Sequence, residues 1–189
     1  MFYDPSTVRK KNEPATTSVY ETVRSKLLSA FKEAGNGAAV ESVLHHIPVC
    51  YDPEFGVDLG FLSQNNNLSF DQIVHLHTYR PFRVYMLGFL PGFPYMGVVD
   101  TELECQRKPS PVAVAAGSVG IAGVQTGIYP LNSPGGWQII GRTPVKLFER
   151  DKNPPVVINP GDEVRFYGIS KDEFYQKEWA VTTERREGA

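Results

Sequence analysis

The sequence predicts an α+β fold in which a small, mainly helical first part precedes a compact β-barrel or sandwich. Three observations carry that expectation. Residues 15–78 place apolar side chains at helical intervals. Of 17 glycines and 15 prolines, 22 lie between Pro81 and Gly161, so turns crowd into less than half the chain. Between those turns run short stretches of β-branched and aromatic residues, the composition of strands. The boundary is expected near Thr78 to Pro81, which gives an N-terminal segment of residues 1–80, a barrel domain of residues 81–170 and a tail of residues 171–189.

In the first part, Ser18 and Glu21 have capping-box spacing, and Tyr20, Val23, Leu27 and Phe31 repeat at helical intervals until Gly35 and Gly37. One amphipathic helix is expected. A short strand at Ile47 to Tyr51 follows. Asp52 and Pro53 then read as the N-cap and first-turn proline of a helix burying Phe55, Leu59 and Leu62. Ser69 and Gln72 repeat the capping box for a second short helix, with Ile73, Val74 and His77 on one side and Pro81 as its stop. Alternation from Phe82 to Phe89 predicts the next strand. Further strands are expected at Val112 to Ala115, Trp137 to Ile140, Val145 to Phe148, Val156 to Ile158 and Glu163 to Tyr167. Asn159-Pro-Gly-Asp162 is a turn, because proline fixes φ and glycine supplies the positive φ.

Composition narrows the function classes. At 189 residues and 21.0 kDa, with 41% hydrophobic and 21% charged residues, the chain has enough apolar surface for a sizeable core. Nineteen basic and 21 acidic residues leave a net charge of -2, too little positive field to gather a phosphodiester backbone, so nucleic acid is not an expected partner. Cys50 and Cys105 are too few for a disulfide framework and neither has metal-ligand spacing, so no metal site and a reduced, cytoplasmic setting are expected. No apolar run follows Arg9, Lys10 and Lys11, so neither a secretory signal nor membrane attachment is read there.

From Pro109 to Gly141 there are 33 residues without one Asp, Glu, Lys, Arg or His, bracketed by Lys108 and Arg142. Seven glycines and four prolines rule out a bilayer helix. Two readings stay open: buried barrel strands joined by tight turns, or a neutral surface whose amide and hydroxyl groups contact a small polar ligand. Gly117, Gly120, Gly123 and Gly127 match neither a Gly-Lys-Ser/Thr phosphate loop nor the dinucleotide pattern. The Gly88 to Tyr95 loop alternates prolines and glycines with aromatics and would present Phe89, Phe93 and Tyr95.

The segments Val84-Tyr-Met-Leu-Gly-Phe-Leu-Pro-Gly-Phe-Pro-Tyr-Met-Gly97, Gly117-Ser-Val-Gly-Ile-Ala-Gly-Val-Gln-Thr-Gly-Ile-Tyr-Pro130 and Ser133-Pro-Gly-Gly-Trp-Gln-Ile-Ile-Gly-Arg-Thr-Pro144 closely resemble the family of the 5-oxoprolinase B-type subunit. That family includes the sporulation-kinase inhibitor KipI and allophanate hydrolase subunit 1, and is similar to part of the carboxyltransferase domain of urea carboxylase. The resemblance covers roughly residues 46–168, including Ile47-Pro-Val-Cys-Tyr51 and Glu54-Phe-Gly-Val-Asp-Leu59. It implies a cyclophilin-like β-barrel. Two departures stand out: Pro111-Val112 and Val114-Ala-Ala-Gly117 replace the family's arginine after proline and its Val-Pro-Ala-Gly run, and Phe2-Tyr-Asp-Pro5 resembles only the last strand of a longer first segment, as in an N-terminally shortened chain.

Among the residues themselves, Arg142 is the charge nearest the motif region and its guanidinium fork suits a carboxylate or phosphate, or else closes a barrel end on backbone carbonyls. Gln125, Thr126 and Tyr129 could orient an amide-like ligand, with Ser118 and Tyr95 as further binding candidates, whereas Trp137 reads as core. Catalytic residues are not identifiable: Tyr129 is the sole titratable group of residues 109–141, and the four histidines lie in the first part, where packing is the expected role. The resemblance implies one subunit of a heteromeric, ATP-dependent amidohydrolase opening 5-oxoproline to glutamate, inactive alone, with ATP and magnesium used by the assembled complex. Its implied partners are a sister cyclophilin-like subunit of the C type and a hydrolase of the A type. Two alternatives follow from the same resemblance: a KipI-like inhibitor of a sensor histidine kinase, and a carboxyltransferase-like subunit acting on a urea-type substrate.

Overall fold

In a computed structural model, residues 4–11, 18–34, 42–176 and 179–186 are described. The chain divides into two compact units near residue 40. The first holds helices α1 (Pro5–Lys11) and α2 (Val19–Ala34). Ser18 Oγ accepts from the Glu21 N–H at 3.2 Å, as the capping spacing predicted. The expected apolar stripe, however, stays open at both ends, with Tyr20 65% and Phe31 74% exposed. A 7-residue α1 is less than half the length of a 16-residue α2 and cannot cover it. Gly35, Gly37 and the Phe2-Tyr3 end of the expected strand lie outside the described residues.

The second unit carries strands β1 (Ser42–Val49), β2 (Phe82–Leu87), β3 (Pro94–Gly97), β4 (Val112–Val114), β5 (Ser118–Ala122), β6 (Gln125–Ile128), β7 (Ser133–Gly135), β8 (Gln138–Arg142), β9 (Glu163–Gly168) and β10 (Thr182–Arg186). It also carries helices α3 (Leu59–Asn66), α4 (Phe70–Thr78) and α5 (Lys171–Gln176). Eight strands form one mixed sheet in the order β10-β1-β9-β2-β3-β6-β5-β8, and β4 pairs with β7 as a separate ribbon. The sheet closes on itself where Cys50, just after β1, bridges Arg142 at the end of β8. A barrel results, and the α+β class is the one the sequence predicted. No helix among the described residues is long and apolar enough to cross a membrane.

Ile47, Val49, Val84, Met96, Val119, Ile121, Ile128, Val164 and Phe166 fill the barrel and pack with Leu59, Leu62 and Ile73 of α3 and α4. A second cluster of Phe93, Val114, Ala122, Tyr129, Trp137 and Ile139 collects side chains that alternation sends to the opposite face. The capping box of α4 is complete: Ser69 Oγ accepts from Gln72 N, and Gln72 Oε1 accepts from Ser69 N at 2.8 Å.

Four expectations need correction. The division near Thr78 to Pro81 does not separate compact units, because β1 is hydrogen-bonded between β9 and β10 in the barrel sheet. Residues 171–189 are not a tail: α5 and β10 are ordered elements, and β10 pairs antiparallel with β1 from Ser42↔Arg186 to His46↔Thr182. The helix expected at Asp52 starts instead at Leu59, since Asp52 turns the chain by accepting from Phe55 and Gly56 N–H groups. Finally, Val145 to Phe148 and Val156 to Ile158 make only the single bridge Phe148↔Val156. Pro144, Pro154 and Pro155 withhold the donors a ladder needs there.

Strands β3, β5, β6 and β7 were not expected, because their glycines and prolines read as turns. The structure gives two of those glycines a packing reason. A Cβ on Gly120 would stand 3.1 Å from Trp137 Cβ, and one on Gly127 would stand 2.9 Å from the Phe93 ring. Side-chain-free positions let Trp137 and Phe93 approach the strands closely.

Candidate functional site

Arg142 sits at the seam of the barrel. Its N–H donates to Cys50 O at 3.0 Å and its carbonyl accepts from Cys50 N at 2.9 Å, while its Cα pairs with Ser118 of β5 on the other side. With the main chain fixed twice, the half-buried side chain leaves the sheet in a set direction. Nε donates to Ala116 O at 2.8 Å, and the guanidinium carbon lies 5.9 Å from the Phe174 ring centre. Among the described residues the two terminal nitrogens have no ion-pair partner.

The guanidinium borders a cleft of about 190 Å³, walled by Glu54 and Phe55, by Lys108, by Val112–Ala115 and by Ser118. Its other charges occur in pairs. Lys108 Nζ meets Asp58 Oδ2 at 2.5 Å, and the same oxygen accepts from Ile139 N at 2.6 Å. Glu54 binds Lys171 and accepts from Tyr175 Oη at 3.2 Å. The hydrogen bond from Lys171 holds the Glu54 carboxyl below the usual carboxylate range, so it is ionised at neutral pH. With those charges paired, the Arg142 guanidinium is the cleft's charged group without an ion-pair partner among the described residues, and its fork has the shape to meet a carboxylate. The lining includes no histidine and no thiol, and Ser118 has no base beside it. The cleft can bind and orient a small anion; it holds no acid–base pair.

Gly117 shapes the rim. Its φ is +83, its N–H donates to Tyr129 O at 2.7 Å, and a Cβ there would stand 2.3 Å from Thr143 O and 3.4 Å from Arg142 Cγ. Gly117→Ala is therefore expected to destabilise the fold by about 1–3 kcal/mol through strain alone. Chemical denaturation measures this, and an alanine variant as stable as the parent would show that the rim does not need glycine.

The six sequence candidates do not form one site. Arg142 and Ser118 share the cleft. Gln125 starts β6, opposite Ala122 at the far end of β5, four residues or about 13 Å along that strand from Ser118. Thr126 is buried inside the barrel, where Oγ1 donates to Gly120 O at 3.1 Å and meets His77 Nε2 at 2.8 Å. That donation obliges His77 Nε2 to carry its proton and Nδ1 to accept from Tyr51 Oη at 2.8 Å. Tyr129 and Tyr95 belong to the second aromatic cluster, 5.1 Å and 4.8 Å from the Phe93 ring centre. Burial pushes the Tyr129 hydroxyl pKa up. The expected joint grip on an amide by Gln125, Thr126 and Tyr129 is thus not built: alternation and distance send them to three surroundings. Trp137 is core, as read. Sequence reasoning missed the pairs Asp58–Lys108 and Glu54–Lys171, whose partners stand 50 and 117 residues apart.

The cleft at Arg142, about 190 Å³, is small for a nucleotide. Drug-sized ligands take clefts of about 300–1,000 Å³, and Gly117, Gly120 and Gly127 pack against Thr143, Trp137 and Phe93 rather than cradling phosphate. Among the described residues no group of three or more His, Cys, Asp or Glu could hold a metal ion.

The chain that folds into this barrel belongs to the family described as carboxyltransferase domain, subdomain C and D, which it matches over residues 3–158. Within it, the chain is similar to the 5-oxoprolinase B-type subunit of Bacillus subtilis, 42% identical over 93% of this chain and 73% of that protein. It is similar to the 5-oxoprolinase B-type subunit of Escherichia coli O157:H7, 44% identical over 74% of this chain and 64% of that protein. Among solved structures, a conserved uncharacterized protein of Pyrococcus horikoshii superposes with a TM-score of 0.67 at 40% identity, covering 92% of this chain and 76% of that one.

Proposed function

We propose that the chain acts as the B-type subunit of a heteromeric, cytoplasmic 5-oxoprolinase, in which Arg142 grips the carboxylate of 5-oxoproline and companion subunits supply the groups that open its amide. The observation that carries the reading is a guanidinium without an ion-pair partner among the described residues, in a cleft of about 190 Å³, in a chain 42% identical to a 5-oxoprolinase B-type subunit. Opening an unstrained lactam to glutamate is uphill. Phosphorylation of the amide oxygen by ATP with magnesium would drive it, and the small cleft of this chain favours a reading in which the companions carry that step. A sister barrel subunit would meet the loop from Gly88 to Tyr95, whose Phe89 is 63% exposed and stands edge-on to Phe93.

The purified chain alone should release no glutamate from 5-oxoproline and ATP, and should do so once its companion subunits are added. Turnover by the isolated chain would overturn this division of labour. A complex that forms but stays inactive, with the chain alone inhibiting a sensor histidine kinase, would replace the reading with the inhibitor.

A further inference from the structure

We propose a second small-molecule site at the other end of the barrel, for a small carboxylic acid that carries an N–H or O–H donor. Its wall begins at Pro144, two residues beyond Arg142, but it shares no lining residue with the Arg142 cleft, and His45 lies five residues, about 16 Å of strand, from Cys50. The site stands independently of the proposed activity.

The starting point is a buried pair. His45 is 3% exposed and its Nε2 lies 2.9 Å from Asp162 Oδ2. Asp162 also accepts from Asn159 N at 2.8 Å and Val43 N at 3.3 Å. Asp162 accepts from all three N–H groups, so His45 Nε2 is the donor; in the neutral ring Nδ1 then presents a lone pair. That Nδ1 is buried and has no hydrogen-bond partner. An acceptor in that position requires a donor.

Beside it opens a cavity of about 640 Å³ that His45 lines. Val145, Val157, Trp179 and Val181 give it apolar walls, and Lys146 brings an ammonium group. Lys152 meets Glu149 at 2.5 Å and Lys146 also acts on that carboxyl, so two ammonium groups face one carboxylate and an anionic ligand would balance the excess. A ligand donating to Nδ1 with an N–H or O–H, packing an apolar body on the walls and turning a carboxylate to Lys146 satisfies every group there. Mouths of β-barrels are recurrent places for such cavities.

The full chain, labelled with nitrogen-15 at histidine, would be titrated with 5-oxoproline, with its N-methyl derivative, which lacks the donor, and with 2-pyrrolidinone, which lacks the carboxylate. 5-Oxoproline should shift the His45 Nδ1 resonance, and each truncated probe should bind at least tenfold more weakly. Lys146→Met, on an exposed side chain, should weaken the two probes that carry a carboxylate and leave 2-pyrrolidinone unchanged, while Arg142→Ala should leave the His45 response in place. A His45 Nδ1 signal unmoved by all three probes would overturn the site, leaving the pair a structural staple of the turn at Asn159 to Asp162. A response abolished by Arg142→Ala and untouched by Lys146→Met would overturn it as well.

Discussion

Arg142→Ala should lower the activity of the assembled complex by roughly tenfold or more, because it removes a charge-assisted contact of about 1.5–3 kcal/mol. The loss should appear chiefly as a raised KM, since a gripped carboxylate is held in ground and transition state alike. Arg142→Lys should restore part of the activity: lysine keeps the charge but loses the planar fork, and it also loses the Nε bond to Ala116 O. The competing account gives that bond the whole role. On it, Arg142→Ala strands the Ala116 carbonyl, lowers the melting temperature and leaves KM alone. Kinetics and thermal unfolding on one preparation separate the two, and a destabilised complex with a normal KM would remove Arg142 from substrate binding.

Acidification should unfold the barrel from within. His77 is fully buried, stacked 4.5 Å from the Phe166 ring centre, and burial lowers its pKa from 6.5 to about 3. Between those values the unfolded chain takes up a proton that the folded chain refuses. The stability tied to neutral His77 is therefore complete above pH 6.5 and drains away as the pH falls toward 3, at about 1.4 kcal/mol per pH unit. Near pH 4 the loss should reach roughly 3 kcal/mol. Urea unfolding at several pH values measures it. His77→Phe should be less stable at pH 7, since it strands Tyr51 Oη and removes the donor that Thr126 Oγ1 accepts from, yet its stability should vary less with pH. An equally steep decline in His77→Phe would assign the acid sensitivity to other groups.

What could be read in advance follows the range of the interactions concerned. The capping box of α4 is written within four residues, Ser69 to Gln72, and is legible as such. Arg142 is conspicuous as the charge that ends an uncharged tract, and its cleft exists. Thr126 resembles a binding hydroxyl because polarity alone does not say which face of a strand a residue takes. Its partner His77 lies 49 residues away, on a helix whose docking only the folded chain reveals. The strands β5 and β6 escape for a related reason: Gly120 and Gly127 are small because Trp137 and Phe93 press on them, and such contacts leave no local pattern. Pro144, Pro154 and Pro155, by contrast, are a local signal against strands beside them, and there the apolar runs outweighed it wrongly.

The junction of Cys50 with Arg142 makes the barrel's integrity and the cleft's occupancy one equilibrium. Among the described residues, β8 meets the β1 edge through the two backbone hydrogen bonds of that bridge, at 2.9 and 3.0 Å. A ring held there by so few bonds should breathe locally, exposing those amides to solvent exchange long before the molecule unfolds. An anion that grips the guanidinium binds only the closed form, so it stabilises closure by mass action and should slow deuterium uptake at the Cys50 and Arg142 amides. Substrate would then do more than fill a cleft: it would fasten the staves.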